Sequence, residues 1–209
     1  MPYFLDSNVI LGFVFRCGDR LGSRACAVVE DSEENHSGYV VRCECFGTGK
    51  KTGRADQIME EISDELLRAG AGIRKFGAVG FRSRFDMRKF PRTGMVLQRF
   101  FNEGRISDDS VLSRGFPNFA GDYLRRRRQV LDDGLMMWHD RRVEEYAGER
   151  KVLRACIQNW SDVEVLLDAH DAGLGIGGVV FVTDDAKDIA GKRDVICGCL
   201  AGVAGVRRV

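Results

Sequence analysis

Carboxylates set behind short apolar runs are the residues of this chain best placed to do chemistry. The first, Asp6, follows Tyr3-Phe4-Leu5 and precedes Ser7-Asn8-Val9-Ile10-Leu11. A second, Glu44, lies just beyond Tyr39-Val40-Val41, and a third pair, Asp184 and Asp185, closes the run Val179-Val180-Phe181-Val182-Thr183. Asp162 opens the apolar stretch that leads into that last run. If the runs are strands of one parallel sheet, their carboxyl ends share an edge, and ligands of such sheets bind in the crevice outside it. Four carboxylates brought there would repel one another, and the ordinary remedy is a hard divalent cation with oxygen ligands. With only three histidines in the chain, His36, His139 and His170, the donor set suits Mg²⁺ or Mn²⁺ and leaves little material for a histidine-based hydrolase.

Positioning those acids falls to an alternation of strands and helices. Asn8 favours a helix start, with Val9, Ile10, Leu11, Phe13 and Val14 as its first apolar residues. Leu21, Ala25, Val28 and Val29 recur at helical spacing and predict a second short helix, before Tyr39-Val40-Val41 as a second strand. From Arg54 to Arg68, Ile58, Ile62, Leu66 and Leu67 share one face, with Glu60, Glu61, Asp64 and Glu65 opposite; this is an amphipathic helix whose acids are solvated. Further helices are expected over Val143 to Ile157, and from Asp162 to the glycine-rich Gly173 to Gly178. Val179 to Val182 has the continuous apolar character of a strand buried on both faces. The tail, Asp194 to Val209, has room for a short helix and a closing strand over Val206 to Val209.

The middle of the chain has another composition. Between Gly70 and Arg92 the cations Arg74, Lys75, Arg82, Arg84, Arg88, Lys89 and Arg92 face a single acid, Asp86, and Phe76, Phe81, Phe85 and Phe90 lie among them. Interleaved cations and rings suit a nucleic-acid strand, which offers phosphates to the charges and base faces to the rings. The competing reading packs the phenylalanines inward and leaves the charges solvated. Thr93 to Gly121 carries turn signals at Gly104, Gly115 and Pro117. Then come Arg125, Arg126, Arg127 and Arg128, beginning or flanking a helix through Val130 and Leu131. Four arginines span a whole helical turn, so at least some must be exposed or paired with acid.

With 209 residues, of which 44% are hydrophobic, the chain can bury a full core as one domain with an elaboration. Lys+Arg 32 against Asp+Glu 31 leaves a net charge of +1, so bulk charge announces no partner and local charge has to decide. Seven cysteines, an odd number without C-x-x-C spacing, point to reduced thiols; the C-x-C pairs Cys43/Cys45 and Cys197/Cys199 make zinc a minor alternative. Without a membrane-length apolar run or a leader pattern, a soluble, cytoplasmic protein is expected.

On these motifs the chain resembles the PIN domain family of metal-dependent nucleases. The opening hydrophobic-Asp6-Ser7-Asn8-Val9-Ile10 is similar to the family's first motif, which implies a metal-binding role for Asp6 and supporting roles for Ser7 and Asn8. Glu44 resembles the second acid, Asp162 with the Ala-rich helix ending at Gly173 the third motif, and Thr183-Asp184-Asp185 the Thr-x-Asp fourth. The resemblance selects Asp185, with Asp184 and Asp188 as secondary candidates. It covers roughly residues 1 to 50 and 160 to 209. The long separation of Glu44 from Asp162 departs from a compact member and implies a largely helical, basic insertion at approximately residues 70–140.

The expectation is therefore a single α/β domain over residues 1–209, three-layer α/β/α around a mainly parallel sheet. Its expected activity is that of a Mg²⁺- or Mn²⁺-dependent endoribonuclease using Asp6, Glu44, Asp162 and Asp185, with Thr183 in support. Capture of the strand would fall to Arg74, Lys75, Arg82, Arg84, Arg88, Lys89 and Arg125 to Arg128. RNA as substrate, and a protein partner such as an antitoxin or a second copy of the chain, are implied by the resemblance. A dehalogenase-type phosphotransferase needs a second Asp where Asn8 stands, and a receiver domain needs a phospho-accepting Asp and a later strand-end Lys that are not in evidence. A PIN-like scaffold that binds RNA or protein without cutting is the alternative from another class.

Overall fold

The computed structural model describes residues 1–15, 20–32, 34–65, 93–94, 96–97, 100 and 108–209. The basic and aromatic stretch from Arg74 to Arg92 and the end of the amphipathic helix at residues 66–68 lie outside them, as does Cys17.

The centre of the fold is a five-stranded sheet in the order β5-β2-β1-β6-β7, every pairing parallel. The strands are β1 (Tyr3–Leu5), β2 (Asn35–Ser37), β5 (Met137–Trp138), β6 (Val179–Thr183) and β7 (Val203–Arg208). β1 and β6 form its middle, with Phe4 in register with Phe181 and their rings stacked at 6.0 Å. Phe4, Leu5, Phe181 and Val182 are completely buried, as β-branched and aromatic runs covered on both faces should be. A separate antiparallel hairpin joins β3 (Gly47–Thr48) to β4 (Lys51–Thr52).

Helices α1 (Ser7–Phe15) and α2 (Arg20–Asp31) connect β1 to β2, and α3 (Tyr39–Phe46) follows β2 directly. Residues 54–65 form α4, with Ile58 and Ile62 buried, Glu60 exposed and Glu61 half-buried, in keeping with a solvated acidic face. Then come α5 (Asp109–Leu131), α6 (Ala147–Cys156), α7 (Trp160–Ile176) and α8 (Arg193–Cys199). α1 buries all but one of its residues and is apolar nearly all round, the mark of a core helix. Right-handed crossovers send the β1-to-β2 helices to one face of the sheet, and α7 and α8, which flank β6 in the chain, to the other. The arrangement is α/β and compatible with three α/β/α layers. Among the described residues no helix is long and apolar enough to cross a membrane.

Several expectations are corrected. Tyr39-Val40-Val41 is the first turn of α3 and not a strand; the second strand is the polar Asn35-His36-Ser37 just before it. These three polar residues are buried with side-chain partners: Asn35 Nδ2 donates to the Val29 carbonyl at 2.9 Å, Ser37 Oγ to that of Leu5 at 2.9 Å, and His36 Nδ1 lies 2.9 Å from His139 Nε2. The Gly115 and Pro117 turn signals lie inside α5, which starts at the N-cap Asp108, whose carboxylate accepts from the Ser110 and Val111 amides. Helix α6 begins at Ala147 and not at Val143, after Tyr146 in the left-handed region at φ 46. The closing strand begins at Val203, three residues before the expected start.

Candidate active site

Strand order reverses between β1 and β6: the chain builds leftward through β2 and β5, then returns to add β6 and β7 on the right. That reversal is the topological switch point at which open parallel sheets bind ligands. Asp6 leaves β1 there and its amide donates to the Val182 carbonyl at 3.0 Å, so the ends of β1 and β6 are tied together. Asp184 and Asp185 leave β6 on the same edge. Helix α7 runs back against the strands, which brings its first turn, with Asp162, to that edge as well. Glu44 arrives by α3, which begins at the end of β2.

Asp6 is the anchor. It is 5% exposed, and its main-chain carbonyl accepts from Val9 and Ile10 as α1 begins. Its Oδ1 accepts from the Ser7 amide at 2.7 Å and lies 3.2 Å from Ser7 Oγ, and its Oδ2 accepts from Thr183 Oγ1 at 2.8 Å. The Ser7 hydroxyl carries one hydrogen and sits closer to Glu44 Oε2, at 2.9 Å, so it links the first two acids of the site. Asn8 is in the first turn of α1 and not at its cap, since Ser7 is already helical.

Burial raises the carboxyl pKa of Asp6, against hydrogen bonds from Thr183 and Ser7 that lower it; the charge of Glu44 raises it further. Asp162 is pushed up to about 6, first by burial and then by the charges of Asp6 and Asp185, with Glu44 adding a smaller part. Asp6, Asp185 and Glu44 therefore all lie within electrostatic reach of Asp162. The three acids other than Asp6 are also engaged: Arg54 donates to Glu44 Oε1 at 2.9 Å, and Asp185 Oδ1 accepts from the Lys187 and Asp188 amides at 2.9 and 2.7 Å. Asp162 Oδ1 accepts from Asn159 Nδ2 at 2.8 Å. Asp188 thus reaches the site through its amide.

Among the described residues, no three acidic, histidine or cysteine side chains stand close enough to hold a metal ion. The donor chemistry nevertheless fits Mg²⁺ or Mn²⁺, because the side chains are all carboxylates and their mutual repulsion is what a divalent charge relieves. Asp162 and Asp185 are half-exposed. The C-x-C cysteines hold no zinc arrangement among the described residues; Cys45 is fully buried with its thiol toward the Ser7 carbonyl at 3.7 Å.

The arginine run divides. Arg126 cannot meet a nucleic acid as expected: it is 6% exposed, donates to the Phe13 carbonyl at 3.2 Å and to Cys26 Sγ at 3.4 Å, and lies over the Phe13 ring. Arg127 is half-buried, 3.5 Å from Asp56 and over the Phe46 ring. Arg125 and Arg128 are exposed, paired with Asp122 and Asp133. Helical geometry dictates this split, since a turn of four must send one residue inward on a helix packed against α1. Arg74, Lys75, Arg82, Arg84, Arg88 and Lys89 fall outside the described residues.

Two features had no signal in sequence. Arg54, ten positions beyond Glu44, neutralises it across the β3-β4 hairpin. Arg142 binds both Glu164 and Asp168 on α7, while Asp168 Oδ2 accepts from the Val40 amide at 3.2 Å. This network clamps α7 to α3, the two helices that carry Asp162 and Glu44. No family model, no curated protein and no solved structure matches the chain.

Proposed function

We propose that the chain is a divalent-metal-dependent endoribonuclease of the PIN type. The observation that supports this reading is the Ser7 hydroxyl held between the Asp6 and Glu44 carboxylates at the switch point of a parallel sheet, with Asp162 near enough to feel the charges of Asp6, Asp185 and Glu44. RNA as the substrate rests on the motif resemblance alone.

Asp6, Glu44, Asp162 and Asp185 would hold Mg²⁺ or Mn²⁺, with Asp184 and Asp188 beside them. The ion supplies activation of water and neutralisation of charge developing on a scissile phosphate. The protein's share is preorganisation. Thr183 and Ser7 fix the orientation of the Asp6 carboxylate from two sides. Ser7 also holds one oxygen of Glu44, and Arg54 holds the other. The Arg142 network ties together α3 and α7, the helices that carry Glu44 and Asp162.

In the test, purified protein is incubated with single-stranded RNA and Mn²⁺ or Mg²⁺. Cleavage is expected, abolished by EDTA and reduced at least about 100-fold in Asp6→Asn, since even residues that merely support metal ligands are worth about 10–100-fold. Equal cleavage by Asp6→Asn would overturn the proposal. The engagement of Glu44 by Arg54 favours one competing reading, a non-cutting PIN-like scaffold for RNA or protein. Metal-independent RNA binding without any cleavage would select it.

A further inference from the structure

Helix α6, which leads into the turn that carries Asp162, presents a surface of opposite character. Ala147, Arg150, Lys151 and Arg154 fall at positions i, i+3, i+4 and i+7 of α6, one helical face, and line an open groove of about 610 Å³. At the edge of this face stands Trp160, 49% exposed although tryptophan is highly buried on average. The Arg154 guanidinium lies 4.3 Å from its ring centroid and that of Arg150 5.7 Å. Arg150 is neutralised by Glu145 and Glu164. Lys151 and Arg154 have no carboxylate partner among the described residues, so the groove keeps a positive excess. Trp160 and Asp162 share the first turn of α7.

We infer that the α6 face and Trp160 form a binding site for single-stranded nucleic acid, with Lys151 and Arg154 on phosphates and a base stacked on the exposed part of the Trp160 ring. The inference rests on the nuclease reading only for the direction of the strand, toward Asp162. Three features fix the occupant. The acid cluster repels a phosphate backbone, so a strand that reaches it must be held by adjoining cations. The Trp160 ring, with the Arg154 guanidinium over it and half of its surface still exposed, offers stacking that is tolerant of base identity. A duplex keeps its base faces covered, and an acidic peptide satisfies the cations but leaves the ring unused.

The test is binding in EDTA, which separates capture from cleavage. Unstructured oligonucleotides are titrated while tryptophan fluorescence and the anisotropy of a labelled strand are followed. The chain has 2 tryptophans, and Trp138 serves as the internal reference. Stacking should quench the emission in the unmodified protein, and Trp160→Phe should remove that quenching. Trp160→Ala should weaken binding about 5- to 100-fold, the range of one base–aromatic contact. The double variant Lys151→Ala, Arg154→Ala should lower the slope of log affinity against log salt by about 1.4, at about 0.7 per phosphate contact. Melting curves verify that each variant is folded, and the double variant decides the matter if Trp160→Ala is not. Unchanged affinity and slope overturn the proposal, as does tighter binding of a duplex or of a polyglutamate peptide. Quenched binding without cleavage under Mn²⁺ upholds this site and defeats the nuclease reading; cleavage with no effect of these variants does the reverse.

Discussion

Burial first, and then the charges of Asp6, Asp185 and Glu44, make the charge of Asp162 costly, and that cost has a definite pH dependence. In the folded, metal-free protein Asp162 keeps its proton up to about 6, whereas an unfolded aspartate releases it near 3.8. Between those values the folded state binds more protons, so stability is greatest below the window and falls as pH rises through it. Asp6, raised chiefly by burial, acts in the same direction. Asp162→Asn should therefore flatten the melting temperature against pH between about 4 and about 6 in EDTA, and raise it at neutral pH. An unaltered slope would show that Asp162 is not the crowded group. The strand-end acids Asp6 and Asp185 were legible in sequence because each follows an apolar run and neighbours a hydroxyl residue, Ser7 or Thr183. Arg54 and Trp160 were not: their roles arise only where distant segments meet, and no local spacing encodes that.

Elements bounded by strong apolar periodicity were legible, and those decided by tertiary context were not. Val179 to Val182 and the helix beginning near Asp162 stand as the sequence implied. The second strand lies one turn earlier than its apolar run suggests because β-prone Tyr39-Val40-Val41 joins a helix, while polar Asn35-His36-Ser37 pairs with β1 and buries Asn35 and Ser37 by side-chain bonds to the Val29 and Leu5 carbonyls. Pro117 reads as a break and sits inside α5. The join between α7 and the loop before β7 depends on a close approach that sequence presented only as two glycines. A Cβ on Gly173 would lie 2.0 Å from the Gly202 carbonyl oxygen, which is backbone and cannot swing away. Gly173→Ala is expected to cost about 1–3 kcal/mol, as overpacking does, and to lower the melting temperature by about 3–10 °C at this chain length. Gly198→Ala on α8 meets nothing within 4 Å and should instead stabilise by about 0.4–1 kcal/mol through the unfolded chain. Equal destabilisation by both would place the constraint in glycine's backbone freedom and not in helix-to-loop contact.

At the scale of the whole molecule, the proposed metal site would make folding and cation binding one equilibrium. The strands and helices that converge on the β1/β6 reversal bring like charges together. The core that enforces this, with Phe4 against Phe181 and α1 buried along its length, offsets the repulsion. A divalent ion that binds the folded state alone removes that burden and stabilises by mass action, about 2.7 kcal/mol when present at 100 times its dissociation constant. For a chain of this size the gain corresponds to a melting temperature about 5–10 °C higher. Millimolar Mn²⁺ or Mg²⁺ should produce such a shift near neutral pH and a smaller one at pH about 5, where Asp162, with its pKa at about 6, is protonated. The double variant Asp6→Asn, Asp185→Asn should melt higher than the unmodified protein in EDTA and gain little from metal. Differential scanning calorimetry with metal and with EDTA reads both quantities. A shift of equal size in the double variant would mean that the stabilising ion binds elsewhere, and the four acids would then be a burden that the core alone sustains.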